Sequence, residues 1–108
     1  MNSTVKVIQP DGIFDSVKGG EFRDQINELV NSGIKLVLVD FQQVTFMDSS
    51  GLGALVLGLK TVRAAGGKLF ICSINEQVRM LFELTSMDRV FQMFANRDDF
   101  NNKIGLLS

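Results

Sequence analysis

The chain reads as an α/β domain, and three features of the sequence predict it. Lys35-Leu36-Val37-Leu38-Val39-Asp40-Phe41 is a nearly continuous apolar run, as in a central strand covered on both faces. Strand-like runs alternate with amphipathic helical stretches in the order β-β-α-β-α-β-α, which implies crossover connections and a largely parallel sheet. Gly19-Gly20, Asn31-Ser32-Gly33 and Gly66-Gly67 punctuate the helical stretches rather than the apolar runs.

Val5-Lys6-Val7-Ile8-Gln9 alternates in part and reads as the first strand. Pro10-Asp11-Gly12 is turn chemistry, since Pro presets φ and Gly permits a positive one. Ile13-Phe14 is then a short second strand, forming a hairpin with the first. Asp15 or Ser16 caps the next helix. That helix is clearest from Glu21, with Phe22, Ile26, Leu29 and Val30 on one face. Gly19-Gly20 weakens its first turns. Gly33 supplies a C-terminal stop.

Val44-Thr45-Phe46-Met47 is a further strand, and it runs into Asp48-Ser49-Ser50. A second helix spans about Ser50 to Ala65, with Leu52, Leu55, Val56, Leu59 and Val62 as its core stripe. Leu57 and Gly58 lie off that stripe, either under another helix or exposed to a partner. Lys68 to Ser73 is a strand. Asn75 begins a third helix carrying Val78, Leu81 and Phe82. The segment Met87 to Phe94 has no clear period. Asp98-Asp99-Phe100 opens a short final helix that carries Phe100 and Ile104.

Size and composition narrow the function. One domain over residues 1–108 is expected, because 45% hydrophobic residues supply the mass for one core. The net charge of -1 and the lack of a basic run argue against nucleic acid. No apolar span approaches the roughly 20 residues of a membrane helix, and residues 1–6 lack a signal-peptide layout. No membrane association is expected, and a membrane-anchored transporter tail is disfavoured. The single Cys72 cannot form an internal disulfide, in keeping with a cytoplasmic location. With no histidine, the commonest general base and metal ligand is missing. The chain is not expected to be an enzyme or to hold a metal or cofactor.

Phe46-Met47-Asp48-Ser49-Ser50-Gly51-Leu52-Gly53 carries the strongest signal. It places two hydroxyls at a helix start, where backbone N–H groups lack partners and the dipole favours negative charge. Either Asp48 or Ser49 caps the helix, or Ser49 is a phosphoacceptor. Asp48 would repel a phosphate beside it, whereas the helix start would welcome one. Gly51 and Gly53 would let backbone or a partner approach closely. The glycine spacing does not fit a nucleotide loop: no Gly-Lys-Ser/Thr follows, and Val56 stands where the dinucleotide fingerprint needs its third glycine. A nucleophilic serine would need an adjacent base, and no spacing points to one.

The same octet resembles the signature of the bacterial anti-sigma factor antagonists, members of the STAS domain family. The resemblance extends over nearly the whole chain, through Leu36-Val37-Leu38-Val39-Asp40, Gly66-Gly67-Lys68-Leu69 and Val78-Arg79-Met80-Leu81-Phe82. It implies a mixed four- to five-stranded sheet with helices mainly on one face. It also implies partner switching: the unphosphorylated antagonist binds an anti-sigma factor that is a serine kinase and so frees a sigma factor. The kinase phosphorylates the serine after the Asp, here Ser49, and a metal-dependent serine phosphatase reverses this. The implied partner surface comprises Asp15, Asp48, Ser49, Ser50, Gly51, Leu52, Gly53 and Leu57. Asp15 falls in Gly12-Ile13-Phe14-Asp15, where Phe14 replaces the family's usual Leu. ATP and metal belong to the partners, and the free chain is expected to be monomeric. The alternative is a STAS module that binds a nucleotide or scaffolds a signalling complex without acting on a sigma factor.

Elsewhere the expectations are structural. Cys72 is a buried, inert thiol. Met80, Met87 and Met93 fill core gaps. Phe91, Phe94 and Phe100 pack the tail onto the body, and Asp98-Asp99 is a solvated helix start.

Overall fold

The structure is a computed structural model, and it describes residues 4–104. Six strands fall into two sheets. Strands β1 (Val5–Ile8), β3 (Leu36–Asp40), β5 (Lys68–Cys72) and β6 (Gln92–Phe94) form one, in the order β1-β3-β5-β6. Strands β2 (Asp11–Phe14) and β4 (Gln43–Met47) form the other. The α/β class is the expected one. In detail, every ladder among the described residues is parallel, and the strands divide four and two.

The expected hairpin is absent, because β1 pairs with β3 and β2 with β4. Pro10 has no N–H to give a ladder, and it stands where the first sheet stops. Gly12 has φ +67, but it lies inside β2 next to a register shift between Gly12 and Ile13. Its positive φ serves a strand irregularity rather than a turn.

Side-chain alternation along β3 and β5 divides the core. Val37, Val39, Leu69 and Ile71 join the larger cluster, with residues of helices α1 (Ser16–Asn31), α2 (Ser49–Ala64) and α3 (Glu76–Leu84). Leu38, Phe70 and Cys72 face the other way and meet Phe100 of α4 (Arg97–Lys103). Three helices thus cover one face and one short helix the other.

Helix α1 begins earlier than Glu21. Asp15 caps it, its carboxylate accepting the N–H of Val17 and of Lys18, each at 3.1 Å. Gly19 is a packing residue: a Cβ there would lie 2.6 Å from the Cβ of Ala54. Gly58 does the same one turn further along α2, where a Cβ would lie 2.6 Å from Phe22. The two glycines allow α1 and α2 to pack closely, and that contact outweighs the propensity cost of about 1 kcal/mol that glycine carries in a helix. The unclear segment resolves into a 3-10 turn, Met87–Arg89, followed by β6. Met87 and Met93 pack against the core, whereas Met80 is 53% exposed on the outer side of α3, contrary to expectation. Phe91 is buried beside Phe82, and Phe94 and Phe100 close on Phe70.

Candidate functional site

Parallel pairing of β2 and β4 brings two helix starts together. Phe14 is in register with Met47, and each is followed by an aspartate that caps the next helix. Asp15 starts α1 and Asp48 starts α2. The Asp48 N–H donates to the Phe14 carbonyl at 3.3 Å, so the ladder continues to the edge of the corner. Asp48 Oδ1 accepts the Gly51 N–H at 2.8 Å.

This settles which residue is the cap. Asp48 holds that place, and Ser49 is the first residue of α2, not its cap. Both Ser49 and Ser50 are exposed. As the first residues of α2, Ser49 and Ser50 have amides without intrahelical partners, the Asp48 cap goes to Gly51, and a negative group at Ser49 would sit at the positive end of the helix.

The glycines differ in role. A Cβ on Gly51 would stand 2.0 Å from the Phe14 carbonyl oxygen, so glycine is required there for α2 to start against β2. Gly53 is exposed with open space around it. Gly51 and Leu52 are both buried, so they shape the surface from beneath rather than forming it. Leu57 is 42% exposed, whereas its neighbour Gly58 is covered by α1.

Three residues overlooked in the sequence extend this surface. Ile13 and Phe46 are register partners and are 54% and 45% exposed. Val17, in the first turn of α1, is 68% exposed. Ile13 alternates with buried Phe14, and that alternation was the available signal. Gln77 is a fourth: its side-chain amide holds the backbone of Met47, and no motif marks it.

Charges elsewhere are paired structurally. Lys18 bonds Asp11 at 2.8 Å and lowers the Asp11 carboxyl. Asp40 is wholly buried and takes Arg97 Nε at 2.8 Å, Gln9 Nε2 at 3.1 Å and the Gln42 N–H at 3.0 Å. Burial alone would raise its pKa, but these donors hold it below the ordinary carboxylate value. A polar recess of about 620 Å³ opens beside this pair, at the carboxyl ends of β1, β3, β5 and β6, and includes no residue of the Ser49 corner. Burial raises the pKa of Cys72. Among the described residues no cluster of three or more Cys, Asp or Glu is placed to hold a metal, and no helix is long and apolar enough to cross a membrane.

An exposed serine just past one of two paired strand ends, behind a capping aspartate, thus marks this α/β frame. The STAS domain model matches residues 2–100, and the chain belongs to the STAS domain family. The anti-sigma F factor antagonist of Paenibacillus polymyxa is 24% identical over 93 residues, which is 85% of this chain and 80% of that one. Among solved structures, protein TM1081 of Thermotoga maritima superposes with TM-score 0.84 at 24% identity, over 93% of this chain and 86% of that chain. The phosphorylated form of the Bacillus cell fate determinant SpoIIAA gives TM-score 0.71 at 18% identity, over 94% and 93%. A sulfate transporter family protein of Wolinella succinogenes gives 0.79 at 15%, over 95% and 86%. At these identities the structural likeness shows the fold.

Proposed function

We propose that the chain is an anti-sigma factor antagonist whose binding is switched by phosphorylation of Ser49. In this reading the unphosphorylated form docks on an anti-sigma factor that is also a serine kinase, and a sigma factor is released. The observation that carries the reading is the exposed Ser49 at the first position of α2, relieved of capping by Asp48. The Paenibacillus relative named an antagonist, and the existence of a phosphorylated form of SpoIIAA, support it.

The only reacting group that this chain supplies is the Ser49 hydroxyl. The kinase would hold ATP, and the γ-phosphoryl group would pass to Ser49 Oγ. ADP would leave, and the serine proton would go to a base of the kinase. A metal-dependent serine phosphatase would return the hydroxyl by hydrolysis. The chain itself acts as substrate and ligand rather than as catalyst, with no cofactor of its own.

The switch has a physical basis. The Asp15 and Asp48 carboxylates cap helices at the same end of the domain. Roughly two further negative charges at Ser49 would give that end a strongly anionic face. The helix start offsets part of the repulsion within the domain, so the fold survives. A partner that docks on Asp15, Asp48, Ser49, Ser50, Gly53 and Leu57, with Ile13, Val17 and Phe46 as apolar margin, would meet charge where it had met a small hydroxyl. Gly51 and Leu52 contribute from below. The cost of burying that charge without a cation releases the complex.

The test is capture of partners from native lysate on immobilised wild-type protein, Ser49→Ala and Ser49→Asp. A kinase or anti-sigma factor held by the first two and lost by the third supports the reading. Equal capture by all three rejects it. The second reading is a nucleotide-binding or scaffolding module in another signalling complex, kept open by the recess at Arg97. Submillimolar binding of ATP or GTP by the isolated chain would favour it.

A further inference from the structure

We propose that Gln77 is a positioning residue for the Ser49 switch: from α3 it fixes the backbone that presents Ser49 to the kinase. This rests on Ser49 being the phosphoacceptor.

The geometry is a two-point clamp. The Met47 N–H donates to Gln77 Oε1 at 2.8 Å, and Gln77 Nε2 donates to the Met47 carbonyl at 2.8 Å. A primary amide carries its acceptor and its donors on two adjacent atoms, so it can accept from and donate to the same residue's backbone at once. One edge of β4 is paired with β2. The other would leave N–H and C=O groups open. Gln77 takes the place of a neighbouring strand there. Asn75, the cap of α3, supports the same strand by donation alone: its Nδ2 donates to the Val44 and Thr45 carbonyls at 3.2 and 3.3 Å, while its Oδ1 accepts the Val78 N–H at 2.9 Å.

Met47 is therefore held from three sides. Its side chain is wholly buried, Phe14 lies in register on one edge, and Gln77 grips the other. The two residues after it are Asp48 and Ser49. A strand end that is fixed just before a phosphoacceptor sets the direction of its Oγ, and phosphoryl transfer is sensitive to such placement because in-line attack needs a defined approach. Asn75 serves the strand further back and its own helix. Among the described residues, Gln77 is the one side chain that hydrogen-bonds the backbone of the last strand residue before the corner.

Positioning and mere support of the fold make different predictions. The test adds purified unphosphorylated wild type, Gln77→Ala and Gln77→Glu to native lysate with ATP and follows the initial rate of Ser49 phosphorylation by intact mass. A control, Phe100→Leu, lowers stability from the opposite face of the sheet, and thermal melting matches it to the Gln77 variants. Amide exchange at Met47 is read by NMR in each protein.

Positioning predicts faster Met47 exchange in Gln77→Ala, and in both variants an initial rate of Ser49 phosphorylation about tenfold or more below that of the stability-matched control. Gln77→Glu should be phosphorylated as slowly as Gln77→Ala although its Met47 N–H stays bonded, since a carboxylate cannot donate to the Met47 carbonyl and sets an oxygen against it. Phosphorylation equal to the control in both variants overturns the inference and leaves the phosphoserine reading standing. Absence of phosphate on wild-type Ser49 under every growth condition removes that reading, and this inference with it. Unchanged Met47 exchange in Gln77→Ala shows that the clamp does not exist.

Discussion

Gly51 and Phe14 meet where the two helix starts come together: a Cβ on Gly51 would fall 2.0 Å from the Phe14 carbonyl oxygen. The first turn of α2 lies directly against the end of β2, and the exposed serine stands beside that contact. Because the clash is with backbone, neither partner can rotate away.

Gly51→Ala should therefore destabilise the fold by about 2–3 kcal/mol or more, through forced displacement of backbone. Gly53→Ala should do the opposite, raising stability by about 0.5–1 kcal/mol, since its site is open and helical. Denaturant unfolding of both variants checks this. If the exposed Gly53 position lies under a partner, Gly53→Ala should weaken partner binding while stabilising the free protein.

Capping separates Asp48 from Ser49. Asp48→Ala should cost about 1 kcal/mol, the usual worth of an N-cap. Ser49→Ala should change stability by less than about 0.5 kcal/mol, as for an exposed residue outside the cap. Equal losses in the two variants would return a capping role to Ser49.

The pair Asp40–Arg97 makes a pH prediction. The folded pKa of Asp40 is depressed, so its contribution is fully present above the unfolded value of about 3.9 and is lost as pH falls through the lower folded value. Arg97→Gln removes the main depressing cause and leaves only the Gln42 and Gln9 donors to oppose burial. At neutral pH the variant should lose about 1–3 kcal/mol, less than for a wholly buried pair, because Arg97 is half exposed and solvent screens it. The gap between variant and wild type should close as pH falls below about 4. A gap that is constant between pH 7 and pH 3 would show that the pair acts through packing alone.

Much of this was legible in the sequence. The central strand, the helix stripes at Phe22 and Ile26 and at Leu55 and Leu59, and the Asp-Ser-Ser corner follow from periodicity and cap chemistry, which are local. The hairpin was misjudged because Pro10 and Gly12 look alike in a turn and at a strand irregularity. Only the long-range pairing of β1 with β3 and β2 with β4 separates the two. Gly19 looked like a helix breaker, and its reason lies 35 residues away in Ala54. Met80 fits an apolar pattern that tertiary packing leaves uncovered. Gln77 is an ordinary polar residue until α3 is laid along the free edge of β4.

The central claim is that Ser49 carries a reversible phosphate. Intact mass and site mapping of the protein from its native cells, before and after treatment with a serine phosphatase, test it most directly. A single phosphate on Ser49 is expected in part of the population, removed by the phosphatase and absent from Ser49→Ala. A protein that stays unmodified across growth conditions, or carries its phosphate at another residue, would contradict it.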